Sequence, residues 1–166
     1  MLFKASFNCQ LDLHHLASTL VNVKYNPKNF CGLSWRHRHI QLGILVFKSG
    51  SLIVHGATSK VQAVKCIRQY ARLLSVKFGY HIKLSKVKLV TASLLSNIGN
   101  RLDLHNLAKN YPGCKYEVEL FNAAFLNKNK VHFSMFSSGR IVITGVTNLS
   151  LINSVIQPTL IELSLF

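Results

Sequence analysis

Short runs of β-branched and aromatic residues follow one another in the first half of the chain. They occupy residues 30–38, 41–47 and 50–56, and short breaks rich in polar residues or glycine separate them. The KSGS sequence at 48–51 supplies a hairpin turn between the second and third runs. The pattern therefore predicts an antiparallel meander of three strands.

The spacing of apolar residues changes to that of a helix between Thr58 and Phe78. Apolar residues at this spacing predict a face that packs on the sheet, and basic residues predict a face in solvent. The predicted packing face consists of Val61, Val64, Ala71, Leu74 and Phe78, and the predicted basic face of Lys65, Arg68 and Arg72. We therefore expect a long helix that covers one side of the sheet.

The same order of elements returns in the second half. Strands are predicted near 121–127, 130–136 and 139–145, followed by a helical stretch from Asn148 onward. Pro158 lies inside that stretch and is expected to kink or interrupt it, because proline lacks the N–H that a helix interior needs. This last stretch has no basic residue, so the two long helices differ chemically.

Three sequence blocks recur in the same order. LDLHHLA at 11–17 returns as LDLHNLA at 102–108, and YNPKNF at 25–30 returns as YEVELF at 116–121, both with an offset of 91 residues. FKSGSLIVHGAT returns as FSSGRIVITGVT with an offset of 89 residues. Three ordered matches are hard to obtain by chance, so the chain reads as a duplicated α+β module.

The duplication predicts the domain organisation. We expect a first repeat at 1–83 and a second at 84–166, which pack about a pseudo-twofold axis. The join at 79–84 is short and apolar, unlike a flexible linker. One continuous sheet is therefore expected.

The chain is strongly basic. The chain has 20 Lys and Arg against 5 Asp and Glu, a formal net charge of +15. Such a field attracts polyanions, so nucleic acid is a better expectation than a merely soluble surface. Asp12 and Asp103 begin matched helical patterns and are expected to cap them. Glu117 and Glu119 give only the second copy an acidic spot.

The sequence offers little chemistry for catalysis. Four of the five acids are expected in caps or a loop, and no nucleophile motif is present, so we expect no enzyme. His37 and His39 with Cys31 form an alternative metal site, which we disfavour because alternate strand residues rarely converge without further ligands. We expect no metal or cofactor. The isolated cysteines predict buried thiols in a reducing compartment, and no window approaches 18 apolar residues, so no membrane contact is expected.

One face of the predicted sheet is left without a cover. Strand parity puts Leu45, Ile53 and Val142 on it, together with Phe47 and Phe136. An ordinary core face has the same apolar composition, but helices can cover only one side of a sheet. Exposed apolar surface edged with basic groups predicts an interaction site.

The chain resembles the TATA-binding protein family over essentially all 166 residues. YNPKNF followed by LVFKSGSLIVHGA, and YEVELF followed by FSSGRIVITG, resemble the two halves of that family's saddle. The resemblance implies an α+β fold in which two tandem pseudo-symmetric repeats form one curved antiparallel β-sheet with helices on its convex face. It also implies binding in the minor groove of DNA, with apolar wedges that bend the duplex.

The resemblance gives expected roles to residues of the uncovered face. Two Phe pairs would wedge into base steps, one from each repeat: Phe30 with Phe47, and Phe121 with Phe136. The residues expected against the minor-groove floor are Leu45, Ile53, His55, Val142 and Thr144. The residues expected near the DNA backbone are Lys28, Arg36 and Arg140.

Protein partners are implied as well. Glu117, Glu119 and Leu120 match the surface that receives transcription factor IIB, which would connect the protein to the RNA polymerase machinery. Val23 and Lys24 stand where the family commonly has a small residue and an acid beside the factor IIA surface, so a factor IIA contact is doubtful. The expected location is the nucleus, or a viral replication or transcription compartment.

The centre of the sheet departs from the family pattern. The family's Asn on the first strand of each repeat is missing, with Leu89 as the nearest match in the second copy, and His55 stands where Thr is usual. We predict a divergent member, of viral or parasite type, that binds and bends A·T-rich promoter DNA without a strict TATA preference. The alternative is an interaction module that binds protein or an RNA·DNA hybrid through the concave face.

Overall fold

The computed structural model describes residues 1–36 and 42–166. These residues form two compact units, Met1–Val90 and Thr91–Phe166. Each unit is an antiparallel sheet with helices packed on one side, as the duplicated pattern predicts. The repeat boundary between residues 83 and 84 stays a prediction.

The first unit is a five-stranded sheet with two helices in its described part. Its elements are β1 (Leu2–Ser6), α1 (Leu13–Thr19), β2 (Val23–Asn26), β3 (Phe30–Arg36), β4 (Gly43–Val46), β5 (Ser51–His55) and α2 (Lys60–Phe78). The strand order is β2-β3-β4-β5-β1, with antiparallel neighbours throughout. Strands β3 to β5 are the predicted meander, except that residues 37, 38 and 41 of the predicted runs lie outside the described residues.

The second unit repeats this topology. Its elements are β6 (Lys88–Asn97), which begins just before the unit does, α3 (Leu104–Asn110), β7 (Cys114–Lys115), β8 (Ala124–Lys128), β9 (Val131–Met135), β10 (Arg140–Val146), a π-helical turn (Ile152–Ile156) and α4 (Gln157–Leu163). The strand order β7-β8-β9-β10-β6 is that of the first unit, element for element. The predicted duplication is therefore present in the topology.

The two short helices begin at matched aspartates, as predicted. Asp12 accepts hydrogen bonds from the backbone N–H groups of His14 and His15, and Asp103 caps α3 in the same way. The pKa of the Asp12 carboxyl is lowered, chiefly because the His15 N–H donates to it. These caps satisfy backbone donors that a helix start leaves without partners.

Alternate side chains of the first sheet form its core with α2. Leu33, Ile44 and Val54 are completely buried, and the ring centroids of Trp35 and Tyr70 lie 4.1 Å apart. The buried residues of α2 are Ala63, Cys66, Ile67, Tyr70 and Leu74.

One part of the predicted helix face is wrong. Val61 is 78% exposed, whereas Val64, Ala71 and Phe78 are partly buried and Leu74 is fully buried. The buried stripe runs through residues 63, 67, 70 and 74, and Val61 lies outside it. The prediction missed the stripe because it included Leu74 but not Ala63, Ile67 or Tyr70.

The helical segment after β10 changes type at Pro158. The N–H of Gln157 donates to the carbonyl of Ile152, which closes the π-helical turn, and α4 starts immediately afterwards. Pro158 lies at the start of α4, which continues from the π-helical turn without a break, so its missing N–H leaves one position of the helical segment without a backbone donor. The predicted interruption is thus a change from a π-helical to an α-helical pattern, and Val155, Ile156 and Leu163 remain buried.

Candidate nucleic-acid interface

Each unit has a sheet face directed away from its helices, which we call its open face. In the first unit one line of cross-strand partners on this face consists of Lys24, Ser34, Leu45, Ile53 and Lys4. Leu45 and Ile53 are half-buried in the middle of the line, and an exposed Lys stands at each end. The line is apolar at its centre and cationic at its edges.

The matching line of the second unit is more apolar. It consists of Lys115, Phe125, Ser134, Val142 and Leu95. Leu95 occupies the repeat position of Lys4 and is 77% exposed. A leucine so exposed on a strand marks surface that is suited to contact with another molecule.

A neighbouring line contains a histidine in each unit. In the first unit Arg36, Gly43 and His55 are partners, and a Cβ atom on Gly43 would lie 2.2 Å from His55 Nε2. In the second unit the matching partners are Asn127, His132 and Thr144, and Asn127 Oδ1 forms a hydrogen bond with His132 Nδ1. The imidazole comes from β5 in the first unit and from β9 in the second.

Two phenylalanine pairs stand on the open faces. The ring centroids of Phe30 and Phe47 are 5.9 Å apart, and those of Phe121 and Phe136 are 6.3 Å apart. Phe30 is 46% exposed and Phe121 is 52% exposed, although each has an aromatic neighbour. Phe125 also stacks on Phe121, at 5.7 Å, so the second unit presents three rings. The structure thus brings together both predicted pairs.

A turn connects the second Phe pair to the acidic loop. The carbonyl of Glu117 accepts hydrogen bonds from the N–H groups of Leu120 at 3.0 Å and of Phe121 at 3.1 Å. The side chains of Glu117, Glu119 and Leu120 are all exposed, Leu120 to 77%. The loop therefore combines two carboxylates with an exposed apolar side chain.

Cationic groups are concentrated in the first unit. By sequence, residues 1–90 hold 14 of the 20 Lys and Arg and 1 of the 5 acids, so their formal charge is +13 against +2 for residues 91–166. Lys28, Arg36 and Arg140 are exposed and form no ion pair with another described residue. They are available to phosphate groups.

The thiols of Cys9, Cys66 and Cys114 are not activated for nucleophilic attack, and the described residues form no cluster of metal ligands. Burial raises the pKa of the Cys66 thiol to about 11 and also raises the pKa values of Cys9 and Cys114, which disfavours their nucleophilic thiolate forms. No group of three or more His, Cys, Asp or Glu suited to a metal occurs within 1–36 and 42–166. The alternative metal site at His37 and His39 lies outside the described residues.

None of the helices in the described part of the chain is long and apolar enough to cross a membrane.

The sequence reasoning missed His132 and Leu95 as members of the open face. His132 could have been found, since it lies four residues before Phe136 in one predicted strand and therefore on the same face. Leu95 could not, because its direction depends on the pairing of β6 with β10, and a shift of one residue would turn it to the other side.

Comparison with known proteins gives one consistent match. A family model described as "Transcription factor TFIID (or TATA-binding protein, TBP)" matches residues 1–78 and 86–165. The chain is 33% identical over 141 residues to a TATA-box-binding protein of Pyrococcus horikoshii, which covers 82% of this chain and 72% of that protein. It is 33% identical over 143 residues to a TATA-box-binding protein of Emericella nidulans, with coverage of 84% of this chain and 53% of that protein. The chain thus spans about half the length of the latter.

A solved structure matches as well. The structure of Methanococcus jannaschii TBP superposes with a TM-score of 0.89 at 24% identity, and the match covers 99% of this chain and 95% of that one. At this identity the likeness shows the fold. It confirms the predicted fold class, an α+β fold of two tandem repeats.

Proposed function

Because the chain belongs to the TATA-binding protein family, we propose that it is a transcription initiation factor that binds and bends A·T-rich promoter DNA through the minor groove. The observation that carries the proposal is the pair of phenylalanines at each open face, Phe30 with Phe47 and Phe121 with Phe136, in which one ring is exposed and the other half-buried. Phe30 and Phe121 keep about half of their surface in solvent, so core packing does not account for their placement. Their placement suits insertion between base pairs.

The energetics of wedging are consistent with two rings at each end. Opening a base step costs a few kcal/mol. Full burial of one exposed large apolar side chain contributes roughly 1.5–3 kcal/mol, and these rings are already about half-buried, so a pair of rings offsets part of the cost of one opened step. Release of counterions from the DNA backbone adds to this, and the basic side chains of Lys28, Arg36 and Arg140 would contribute to it.

The remaining open-face residues suit the floor of the minor groove. A·T and T·A pairs present the same two acceptors there, so a detailed hydrogen-bonding surface would gain little discrimination. Leu45, Ile53 and Val142 offer apolar contact instead, and His55 and Thr144 add a polar group in each unit. We assign these five residues to the DNA contact.

The acidic loop is the proposed seat of a transcription factor IIB-like protein, through which the RNA polymerase machinery would be recruited. Its support is the exposure of Glu117, Glu119 and Leu120 on a turn held by the Glu117 carbonyl. Glu119→Lys should weaken capture of transcription factor IIB by the protein on DNA while DNA bending is retained. Lys109→Glu, a charge reversal at the end of α3, is the matched control. Equal capture by the Glu119→Lys variant would contradict the assignment.

Factor IIA is not included among the proposed partners, since Val23 and Lys24 depart from the family pattern beside its surface. The proposed role is non-enzymatic. It belongs in the nucleus of a eukaryotic cell, and a viral compartment with late viral transcription stays a prediction from the sequence alone.

A second candidate function is binding of protein or of an RNA·DNA hybrid through the open faces. The exposed histidine His132 favours it, because a polar ring does not follow from a simple apolar fit to a minor-groove floor. An electrostatic complex of this kind would depend on the net charge and not on the Phe pairs.

Fluorescence transfer across a doubly labelled duplex separates the two functions. TATA-like, other A·T-rich and G·C-rich duplexes are compared at fixed salt, with the Phe121→Ala and Phe136→Ala variants. We expect strong bending of an A·T-rich site that either variant abolishes, whereas Val76→Ala, at an exposed position of α2, leaves it unchanged. Tight binding without bending, equal on all duplexes, would overturn the promoter-binding proposal and favour the second candidate.

A further inference from the structure

His132 presents a hydrogen-bond acceptor on the open face of the second unit. Its Nδ1 is hydrogen-bonded to Asn127 Oδ1 across the β8–β9 pair. An amide oxygen can only accept, so Nδ1 carries the proton, and Nε2 of the neutral ring is left with a free lone pair. The ring is exposed, so this lone pair is directed to whatever binds the face.

The surroundings of His132 keep that acceptor open. Its partner on β10 is Thr144, and Gly145 beside it leaves room, since a Cβ atom there would lie 3.2 Å from His132 Cδ2. Lys128 on β8 is engaged on the other side of the sheet with Glu162, at 3.0 Å. Lys130 precedes the strand, and no described carboxylate pairs with the imidazole.

The minor groove offers one donor to such an acceptor. A·T and T·A pairs show only acceptors there, whereas a G·C pair adds the 2-amino group of guanine. An acceptor on the protein therefore finds no donor at an A·T pair, whereas at a G·C pair it can accept a hydrogen bond from the 2-amino group. We propose, on the basis of the proposed function, that His132 selects one G·C base pair within the DNA site by accepting a hydrogen bond from the guanine 2-amino group. Asn127 is its positioning residue.

The first unit has no equivalent of this arrangement. The repeat counterparts of His132 and Asn127 are Gly43 and Arg36, and His55 lies over Gly43 from the next strand. The G·C preference is therefore confined to the half of the site that contacts the second unit. A preference in one half also fixes the direction in which a duplicated protein sits on DNA.

Inosine tests the inference, because it pairs with cytosine but lacks the 2-amino group. A G·C pair is moved through an A·T-rich duplex, and each guanine is then replaced by inosine, with affinity measured alongside bending. At one position we expect inosine to weaken binding about three- to tenfold, the range of one net hydrogen bond. Conversely, 2,6-diaminopurine in place of adenine at that position should strengthen it.

Variants assign the effect to the histidine. His132→Val should remove the difference between guanine and inosine, and Asn127→Leu should reduce it. His55→Val is the matched control, and the guanine-to-inosine ratio should persist in it.

Two failures are distinguishable. Bending without any guanine-to-inosine difference, or a difference that survives His132→Val, would overturn this inference and leave the proposed function standing. The absence of bending on every duplex would overturn the proposed function itself.

Discussion

The imidazole of His55 covers the backbone of Gly43 on the neighbouring strand. The two are direct partners in the β4–β5 pair, and a Cβ atom on Gly43 would lie 2.2 Å from His55 Nε2 and 2.3 Å from its Cε1. The glycine thus sets the position of the ring on the open face of the first unit. The second unit has the reverse order, with His132 on β9 and Thr144 on β10.

We therefore predict that Gly43→Ala displaces His55 and weakens DNA binding without unfolding the protein. The atoms in the way belong to the end of an exposed side chain that can rotate, so thermal stability should change little. Affinities of Gly43→Ala, His55→Ala and the double variant form a cycle, in which residues in contact couple by about 0.5–3 kcal/mol. An equal effect of Gly43→Ala with and without the His55 ring would contradict the prediction.

Gly32 controls the first Phe pair in a similar manner. A Cβ atom on it would lie 2.6 Å from Phe30 Cε1 and 3.0 Å from Phe47 Cε1, so the rings use the space that glycine leaves. Gly32→Ala should separate the rings and reduce DNA bending. The repeat position already holds Ala123, and its Phe pair is 6.3 Å apart, so Ala123→Gly is the matched control with little effect. Unchanged bending by Gly32→Ala would show that the ring positions do not matter.

The topology of each unit could be predicted from the sequence because its signals are local. Matched aspartates, a hairpin turn at residues 48–51 and alternating strands all recur in two copies, and each copy checks the other. The pairing of Phe30 with Phe47 was expected from the resemblance to the TATA-binding protein family, and the two rings lie 5.9 Å apart. The His55–Gly43 and His132–Asn127 contacts were not expected, because they join strands whose register depends on tertiary packing.

The packing face of α2 is a further case where local pattern was insufficient. Val61 has the right spacing from Val64 but the wrong direction relative to the sheet, and Tyr70 packs on Trp35 although its hydroxyl makes it a poor core candidate by composition. Burial raises the pKa of that tyrosine, as expected for a hydroxyl held in the core.

The corrected face makes a stability prediction. Ile67→Ala should lower the free energy of unfolding by about 2–5 kcal/mol, because Ile67 is completely buried and its removal leaves a cavity. Val61→Ala, on the same helix but 78% exposed, should change it by less than about 0.5 kcal/mol. Trp35, the single tryptophan of the chain, lies in this core and reports unfolding by fluorescence. A similar loss of unfolding free energy in both variants would show that Val61 belongs to the packing face, as first predicted.

The second unit carries a pH-dependent contact between its sheet and α4. Glu162 accepts hydrogen bonds from the Tyr111 hydroxyl and from Lys128, whose Nζ lies 3.0 Å from Oε2. The pKa of the Glu162 carboxyl is lowered, first by the Tyr111 hydroxyl and then by Lys128. The same carboxylate raises the pKa of Lys128, and burial together with Glu162 raises that of Tyr111.

These directions fix the sign of the stability change. A carboxyl whose pKa is lower in the folded than in the unfolded chain stabilises the fold above its unfolded value, and this contribution is lost as the pH falls through the folded value. Groups with raised pKa values, here Lys128 and Tyr111, lose their contribution as the pH rises through those values. The contact should therefore be strongest at pH values above the acid range in which Glu162 is protonated and below the alkaline range in which Lys128 and Tyr111 lose their protons.

We accordingly predict that Glu162→Gln destabilises the protein near neutral pH and that its difference from the wild type disappears in acid. Denaturant unfolding followed by circular dichroism across the acid range measures this difference. Tyr111→Phe should show a weaker acid dependence than the wild type, because Lys128 remains as a donor after the first donor to the carboxylate is removed. A constant difference between Glu162→Gln and wild type down to strongly acid pH would mean that the carboxylate charge does not hold α4 to the sheet.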